Sequence, residues 1–180
     1  MNDNVFHVDR YAFSDKDSLF LDTNIWLYIY GPQAPGDKRV MAYSKALQKI
    51  LQAKSKIFLD VLVLSEFVNR YARLEFDRFS GPGKKTDFKN YPKSTDFKPA
   101  AKAIADACRR IVKHCVLTES GFISVNMETI LNHYEDLQPD FNDQILAELC
   151  KSKGFKLVTH DGDFETQGLT LLTANRRLLS

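Results

Sequence analysis

Short apolar runs alternate along the chain with longer stretches of helical periodicity. Runs of a few apolar residues lie at 19–21, 57–61, 156–159 and 169–173, and polar or turn-forming residues follow most of them. Apolar runs of this length are typical of strands that are buried on both faces of a sheet. With a further short strand expected within 115–125, the pattern predicts about five strands.

Between these runs, apolar residues recur three and four positions apart. In the stretch that begins at Asp37, for example, Val40, Leu47 and Ile50 share one face of a helix. Helices of this kind are expected after Thr23, from Asp37, after Val61, from Ala101, over 126–137 and from Pro139 to Cys150, where Gly154 ends the last of them.

Strands that alternate with helices predict an α/β domain with a mainly parallel sheet. We interpret residues 1–17 as a polar lead-in and residues 18–180 as a single domain. The stretch 76–100 is rich in Gly, Pro and Lys in its second half, and we expect a helical or loop insertion there.

The composition changes this picture little. Of 180 residues, 44% are hydrophobic and 27% are charged, which is typical of a globular protein. No apolar stretch reaches the roughly 20 residues of a membrane span, and the polar N-terminus does not resemble a signal peptide. We therefore expect a cytoplasmic protein with no membrane partner. The three cysteines have no spacing that suggests disulfides or a zinc site.

Four acids are placed where ligands bind in such a fold. Asp22 and Asp161 follow predicted strands, whereas Glu66 and Asp143 lie in the first turns of predicted helices. Ligands of open α/β sheets bind beyond the carboxyl ends of the strands. Carboxylates crowded there repel each other unless a cation is bound, and hard oxygen ligands favour Mg²⁺ or Mn²⁺.

Each acid also has a purely structural interpretation. Asp22 is placed to cap a helix, and Glu66 to pair with Arg70 one turn later. Asp140 and Asp143 have the spacing of a capping box, and Asp161, Gly162 and Asp163 have the composition of a turn. The conjunction of the four acids, rather than any one of them, favours a metal site.

Four segments in this order resemble the motifs of the PIN-domain family, which includes toxins of the VapC type. They are Leu21–Asn24, Ser65–Phe67, Asn142–Ala147 and Leu157–Phe164. The resemblance spans residues 19 to about 173. It implies a three-layer α/β/α sandwich and a Mg²⁺- or Mn²⁺-dependent endoribonuclease that hydrolyses RNA with an activated water. It also implies an antitoxin partner and a homodimer.

The resemblance assigns Asp22, Glu66, Asp143 and Asp161 as catalytic metal ligands. Asp163 is an additional candidate ligand. Around them, polar neighbours are placed to orient the ligands: Thr23, Asn24 and Thr159. For RNA binding, the candidates are basic residues that lie among aromatic ones or on a helix: Lys84, Lys85, Lys89, Arg109 and Arg110.

Two other functions are compatible with the sequence. A phosphatase of the haloacid-dehalogenase-like kind also uses an aspartate after its first strand, but it needs a second aspartate where this chain has Asn24. A PIN-like module with little or no catalytic activity would bind RNA or protein without cleaving RNA.

Overall fold

The computed structural model describes residues 4–32, 36–81, 87–135, 140–165 and 168–179. The described residues contain six strands: β1 (Val5–His7), β2 (Ser18–Leu21), β3 (Lys56–Leu59), β4 (Cys115–Leu117), β5 (Lys156–Val158) and β6 (Leu171–Thr173). They also contain six α-helices: α1 (Thr23–Tyr30), α2 (Lys38–Gln52), α3 (Val61–Ser80), α4 (Lys98–His114), α5 (Met127–Glu135) and α6 (Phe141–Lys153).

All six strands form one parallel sheet with the order β1-β6-β5-β2-β3-β4. The mainly parallel α/β fold is therefore confirmed, with one strand more than expected. The additional strand β1 comes from residues 1–17, which we interpreted as a lead-in. It pairs with β6 from Val5 to His7 and forms an edge of the sheet. Its three residues were too few to give a recognisable strand pattern.

The order of the strands determines where the helices lie. The chain moves in one direction from β2 through α1 and α2 to β3, and then through α3 and α4 to β4. It returns through α5 and α6 to β5 on the other side of β2. Because parallel crossovers are right-handed, the two directions place α1–α4 on one face and α5–α6 on the other. The result is a three-layer α/β/α sandwich.

The interior of this sandwich is closely packed around β2 and β5, the central strands. Leu19, Phe20 and Leu157 are each 0% exposed. The chain leaves β2 toward one edge of the sheet and leaves β5 toward the other. The carboxyl ends of β2 and β5 therefore form the topological switch point, where open α/β sheets bind their ligands.

Local signals set the helix boundaries near this point. Asp60 ends β3 and caps α3, because its side chain accepts the N–H of Leu62 at 2.6 Å. The strand expected over 57–61 thus ends two residues earlier, at Leu59, and begins one residue earlier, at Lys56. Asp140 caps α6 by accepting the N–H of Asn142, and Gly154 ends α6 with φ near +67°, a conformation that glycine adopts without strain.

The expected insertion begins later than residue 76, since α3 continues to Ser80. Two short 3₁₀ turns, Tyr91–Lys93 and Thr95–Phe97, then lead into α4. Tyr91 is 6% exposed and stacks on Phe79, so this part of the segment packs against the end of α3. Among the described helices, none is long and apolar enough to cross a membrane.

Asp17 fastens the segment before β2 to the central strands. Its buried carboxylate accepts the hydroxyl of Tyr11 at 3.0 Å and the backbone N–H of Ser14 at 2.8 Å. The Nζ of Lys156, the first residue of β5, donates to the same carboxylate. Burial opposes ionisation of Asp17, but the hydrogen bonds outweigh it and hold the pKa below 3.8.

We expect Asp17→Ala to lower the free energy of unfolding by about 2–3 kcal/mol, or Tm by roughly 5–10 °C, because it removes the carboxylate that accepts from Tyr11, Ser14 and Lys156. The contribution of Asp17 is complete above about pH 4 and is lost as the pH falls below its unfolded pKa. Asp106→Ala is the matched control, since Asp106 pairs with Arg109 at 2.7 Å on the surface. Equal melting temperatures of the two variants would contradict the role of Asp17.

Candidate metal centre

Asp22 lies at the carboxyl end of β2 and is 6% exposed. Its Oδ2 accepts a hydrogen bond of 2.8 Å from the hydroxyl of Thr159, the residue that follows β5. The amide of Asn24 donates to the same oxygen. Thr159 in turn accepts the backbone N–H of Asp161 at 3.0 Å. One threonine therefore links the acids that follow the two central strands.

Glu66 faces this position from the second turn of α3. Its Oε2 accepts the hydroxyl of Thr23 at 3.0 Å, and its Oε1 accepts Nη1 of Arg70 at 3.1 Å. The structural interpretation of Glu66 as the partner of Arg70 is therefore correct, but it is incomplete. Thr23, the residue after Asp22, also fixes the Glu66 carboxylate relative to the end of β2.

Asp143, Asp161 and Asp163 form the third part of the site. Each offers one carboxylate oxygen, and the three oxygens all lie within 4.8 Å of one another. Asp143 lies in the first turn of α6, where the cap at Asp140 sets the start of the helix. Asp161 accepts the N–H of Asp163 at 3.1 Å in a short 3₁₀ turn. The helix cap at Asp140 and the turn at Asp161 are therefore present as expected, and they also bring the carboxylates of Asp143, Asp161 and Asp163 together.

The electrostatics connect these acids with Asp22 and Glu66. Burial raises the pKa of Asp22 to about 6, and the charges of Glu66 and Asp161 add to this effect against the hydrogen bond from Thr159. Burial likewise raises the pKa of Asp143 to about 7, with further contributions from the charges of Asp22, Asp161, Asp140 and Glu66. The charges of acids from four separate segments therefore act on one another. Among the described residues, however, the oxygens within 4.8 Å of one another are those of Asp143, Asp161 and Asp163, and Asp22 and Glu66 do not join this close group.

The acidic group fits a divalent cation. Its donors are carboxylate oxygens, as Mg²⁺ and Mn²⁺ prefer, and the described part of the chain adds no Cys or His to the group. The raised pKa values mean that neighbouring side chains do not balance the negative charge of Asp22 and Asp143. A small cavity of about 20 Å³, lined by Glu66, Asp143 and others, separates α3 from α6. That volume corresponds to roughly one water molecule.

Two polar residues near the centre were not singled out in the sequence. The backbone N–H of His160 donates to Asn24 Oδ1 at 3.2 Å, and the His160 ring lies 2.8 Å from the hydroxyl of Tyr43. Tyr43 is fully buried in α2 and also accepts the N–H of Ala174 after β6. This network holds the ends of β5 and β6 together. A buried tyrosine at an apolar helix position was the signal available, and it is not specific.

Asp60 is an acid that the same sequence argument should have included, because it follows a strand. It is 2% exposed and lines the small cavity beside Glu66 and Asp143. Oδ1 of Asp60 caps α3, whereas Oδ2 is buried with no hydrogen-bond partner among the described residues. Burial raises the pKa of this carboxyl group. A strand that continues to Val61, as the sequence predicts, places Asp60 within the strand, whereas in the structure Asp60 follows it.

The candidate RNA-binding residues lie elsewhere or outside the described residues. Lys84 and Lys85 fall in the range 82–86, which is not described. Lys89 is exposed, Arg109 pairs with Asp106, and Arg110 lies over the ring of Tyr30 at 4.9 Å. The cavities that adjoin the site are lined by other cations. Asn24 shares a cavity of about 300 Å³ with Arg70 and Arg73, and His160 shares one of about 450 Å³ with Lys38, Arg39 and Arg176.

Comparison with protein families matches residues 19–170 to the model described as "PIN domain". Among solved structures, the chain is similar to VapBC2 from Rickettsia felis bound to a DNA fragment from its promoter. The TM-score is 0.53 at 17% identity, over 87% of this chain and 98% of that chain. At this identity the likeness concerns the fold. No curated protein matches the chain in sequence.

We expect Asp143→Asn to stabilise the metal-free protein at pH 8 but not at pH 5. The folded pKa of Asp143, about 7, lies above its unfolded value, so ionisation costs stability as the pH rises from about 4 through 7. With partial exposure taken into account, the gain at pH 8 should be about 1 kcal/mol, or 2–4 °C in Tm.

Thermal unfolding in a chelator at both pH values measures this difference. Added Mg²⁺ or Mn²⁺ should raise the Tm of the original protein more than that of the variant. If Asp143→Asn instead lowered the Tm relative to the original protein at pH 8 more than at pH 5, an unfavourable negative charge at Asp143 would be contradicted.

Proposed function

Because the chain belongs to the PIN-domain family, we propose that it is a metal-dependent endoribonuclease that hydrolyses phosphodiester bonds of RNA. The observation that supports this proposal most strongly is the convergence of acids at the switch point of the sheet. Asp22, Glu66, Asp143 and Asp161 come from four segments, and the pKa values of Asp22 and Asp143 respond to the other acids.

In this proposal the carboxylates of Asp22, Asp143 and Asp161 hold the cation, and Asp163 is an additional ligand because its oxygen lies within 4.8 Å of two of them. Glu66 adds a further negative charge to this site from α3. When bound, Mg²⁺ or Mn²⁺ would supply Lewis-acid stabilisation of the phosphate and lower the pKa of the attacking water.

The remaining polar residues would orient these acids. Thr159 and Asn24 donate to the same oxygen of Asp22, Oδ2, and so fix the orientation of this carboxylate. Thr23 donates to Glu66 and so sets its distance from β2. We assign Asp143 as the group that accepts the proton of the attacking water, since its carboxylate lies within 4.8 Å of those of Asp161 and Asp163, the other acids of the close group.

We expect Asp22→Asn and Asp143→Asn each to reduce RNA cleavage by at least about 100-fold in Mg²⁺ or Mn²⁺. Residues that merely orient ligands often change metal affinity or activity by roughly 10–100-fold, and loss of a ligand should exceed this range. Cleavage of a fluorescent single-stranded RNA, with and without a chelator, measures the effect.

Asp140→Asn is the matched control for these variants. It lies three residues before Asp143, and asparagine retains the ability to cap α6, so activity should stay within a few-fold of the original protein. Equal cleavage by the original protein, Asp22→Asn and Asp143→Asn would exclude these acids from the chemistry. Binding of Mn²⁺ and RNA without any cleavage would favour a binding module instead.

We further propose that the chain is the toxin of a toxin–antitoxin pair and forms a homodimer. The support is its family, together with its likeness in fold to VapBC2. An antitoxin would have to approach the acidic site or hold the chain in an inactive arrangement. A housekeeping role in RNA processing would need no such partner.

Induced expression of the chain in a bacterial host should arrest growth if this assignment is correct. Asp143→Asn should abolish the arrest without lowering the amount of folded protein, because the toxicity depends on RNA cleavage. Co-expression of the adjacent open reading frame from the native locus should restore growth. Unimpaired growth at high levels of a protein that cleaves RNA in vitro would argue for RNA processing and against a toxin.

A further inference from the structure

A cavity of about 450 Å³ opens beside the acidic site, at the carboxyl ends of β1 and β6. His7 ends β1, while Asn175 and Arg176 follow β6, and Lys38 and Arg39 come from the first turn of α2. His160 also lines it, and the next residue is Asp161 of the acid group. The cavity therefore lies beside the proposed catalytic site, further along the carboxyl ends of the strands.

Two cations in the wall of this cavity are not neutralised. Lys38 and Arg176 are exposed, and neither has an ion-pair partner among the described residues. Arg39 differs from them, because its guanidinium is bound to Asp37 at 2.6 Å and lies over the ring of Tyr28. The charge available to a ligand therefore resides on Lys38 and Arg176.

The imidazole of His7 adds a hydrogen-bond donor. Its Nδ1 accepts the backbone N–H of Asp9 at 3.1 Å, which leaves the ring N–H on Nε2. Asn175 is occupied by the backbone, since its amide donates to the carbonyl of His160 at 2.8 Å and its Oδ1 accepts the N–H of Arg177. Asn175 thereby holds the chain after β6 against His160, the cavity residue that precedes Asp161.

Asp9 is the acid among the lining residues. Its Oδ1 is buried with no hydrogen-bond partner among the described residues, and the Nζ of Lys49 donates to its backbone carbonyl at 2.5 Å, not to its carboxylate. Because Lys38 and Arg176 face this one acid, the lining of the cavity keeps an excess of positive charge. This contrasts with the acidic centre next to it, and a ligand that spans both must carry negative charge on the cavity side.

We propose that this cavity binds a backbone phosphate of the RNA strand beside the phosphate that is cleaved, through Lys38 and Arg176. The inference rests on the proposed ribonuclease function. The acidic centre repels a polyanion, so binding energy for RNA must come from cations nearby. Lys38 and Arg176 have no ion-pair partner among the described residues, and their cavity reaches His160, the residue before Asp161. Arg73 in the cavity beside Asn24 differs from them, because its guanidinium lies over the ring of Phe88.

The test compares Lys38→Ala/Arg176→Ala with the original protein in steady-state cleavage of a single-stranded RNA. We expect KM to rise roughly tenfold and kcat to change less than about twofold, because the reacting atoms are untouched. Each phosphate contact to a single strand contributes about 0.7 to the slope of log affinity against log salt. Loss of this one phosphate contact should therefore make that slope shallower by about 0.7.

Lys56→Ala/Lys153→Ala is the matched control. It removes the same charge, but Lys56 begins β3 and Lys153 ends α6 just before β5, so both lie near the opposite edge of the sheet. This variant should leave KM and the salt slope close to those of the original protein. Equal effects of the two double variants would overturn the inference, since net charge alone would then explain them.

Substrates of different length locate the contact on the RNA. Nucleotides are removed stepwise from the 5′ end in one series and from the 3′ end in another. The effect of Lys38→Ala/Arg176→Ala should disappear in one series only, once the phosphate that occupies the cavity is absent. An effect that persists in both series at the shortest cleavable lengths would contradict a local phosphate site.

Failure of the inference and failure of the proposed function give different results. RNA binding is measured separately in the Asp143→Asn background, where turnover is not required. If the original protein cleaves RNA and the double variant shows unchanged KM and unchanged RNA binding, the phosphate site in the cavity is contradicted, but the ribonuclease function is retained. If the original protein does not cleave RNA and RNA binding is still weaker in the double variant, the ribonuclease function is contradicted, but the phosphate site is supported.

Discussion

The hydrogen bond from Thr159 to Asp22 joins the ends of the two central strands, and the geometry of the site depends on it. Thr159 is 0% exposed, donates to the carboxylate that follows β2 and accepts the N–H of Asp161 after β5. Parallel pairing of β2 with β5 brings these residues together, since Leu21 lies opposite Val158 in the register. The sheet therefore sets the separation of the two acids before any cation is present.

The same arrangement has a cost in stability. Burial and like charge raise the pKa values of Asp22 and Asp143 to about 6 and about 7, so both acids are held in a state that disfavours their ionised forms. Hydrogen bonds from Thr159 and Asn24 stabilise only part of this charge. The apolar packing of β2 and β5 must offset the rest, and proteins commonly accept such local strain at functional sites. A bound divalent cation would remove the conflict and would couple metal binding to folding stability.

The sequence was most informative where a signal repeats or is long. Five of the six strands, the helices and the start of α6 at Asp140 follow from apolar runs, periodicity and capping residues. It was least informative where structure depends on distant partners. β1 has three residues and exists because β6 lies beside it, and the contact between Tyr43 and His160 joins residues 117 positions apart. Asp60 is a local case: the sequence predicts a strand that ends at Val61, so Asp60 is not recognised as the residue that caps α3.

The chain has a net charge of +2, but its acidic and basic side chains are separated at the carboxyl ends of the strands. The acids gather at the switch point because Asp22, Asp143 and Asp161 each follow a strand or begin a helix there. The cations of the adjoining cavity gather one strand further on, because the ends of β1 and β6 and the start of α2 meet there. Net charge averages over this separation and so says little about ligands. A polyanion would meet acids that a bound cation can screen and, beside them, Lys38 and Arg176, which have no ion-pair partner among the described residues.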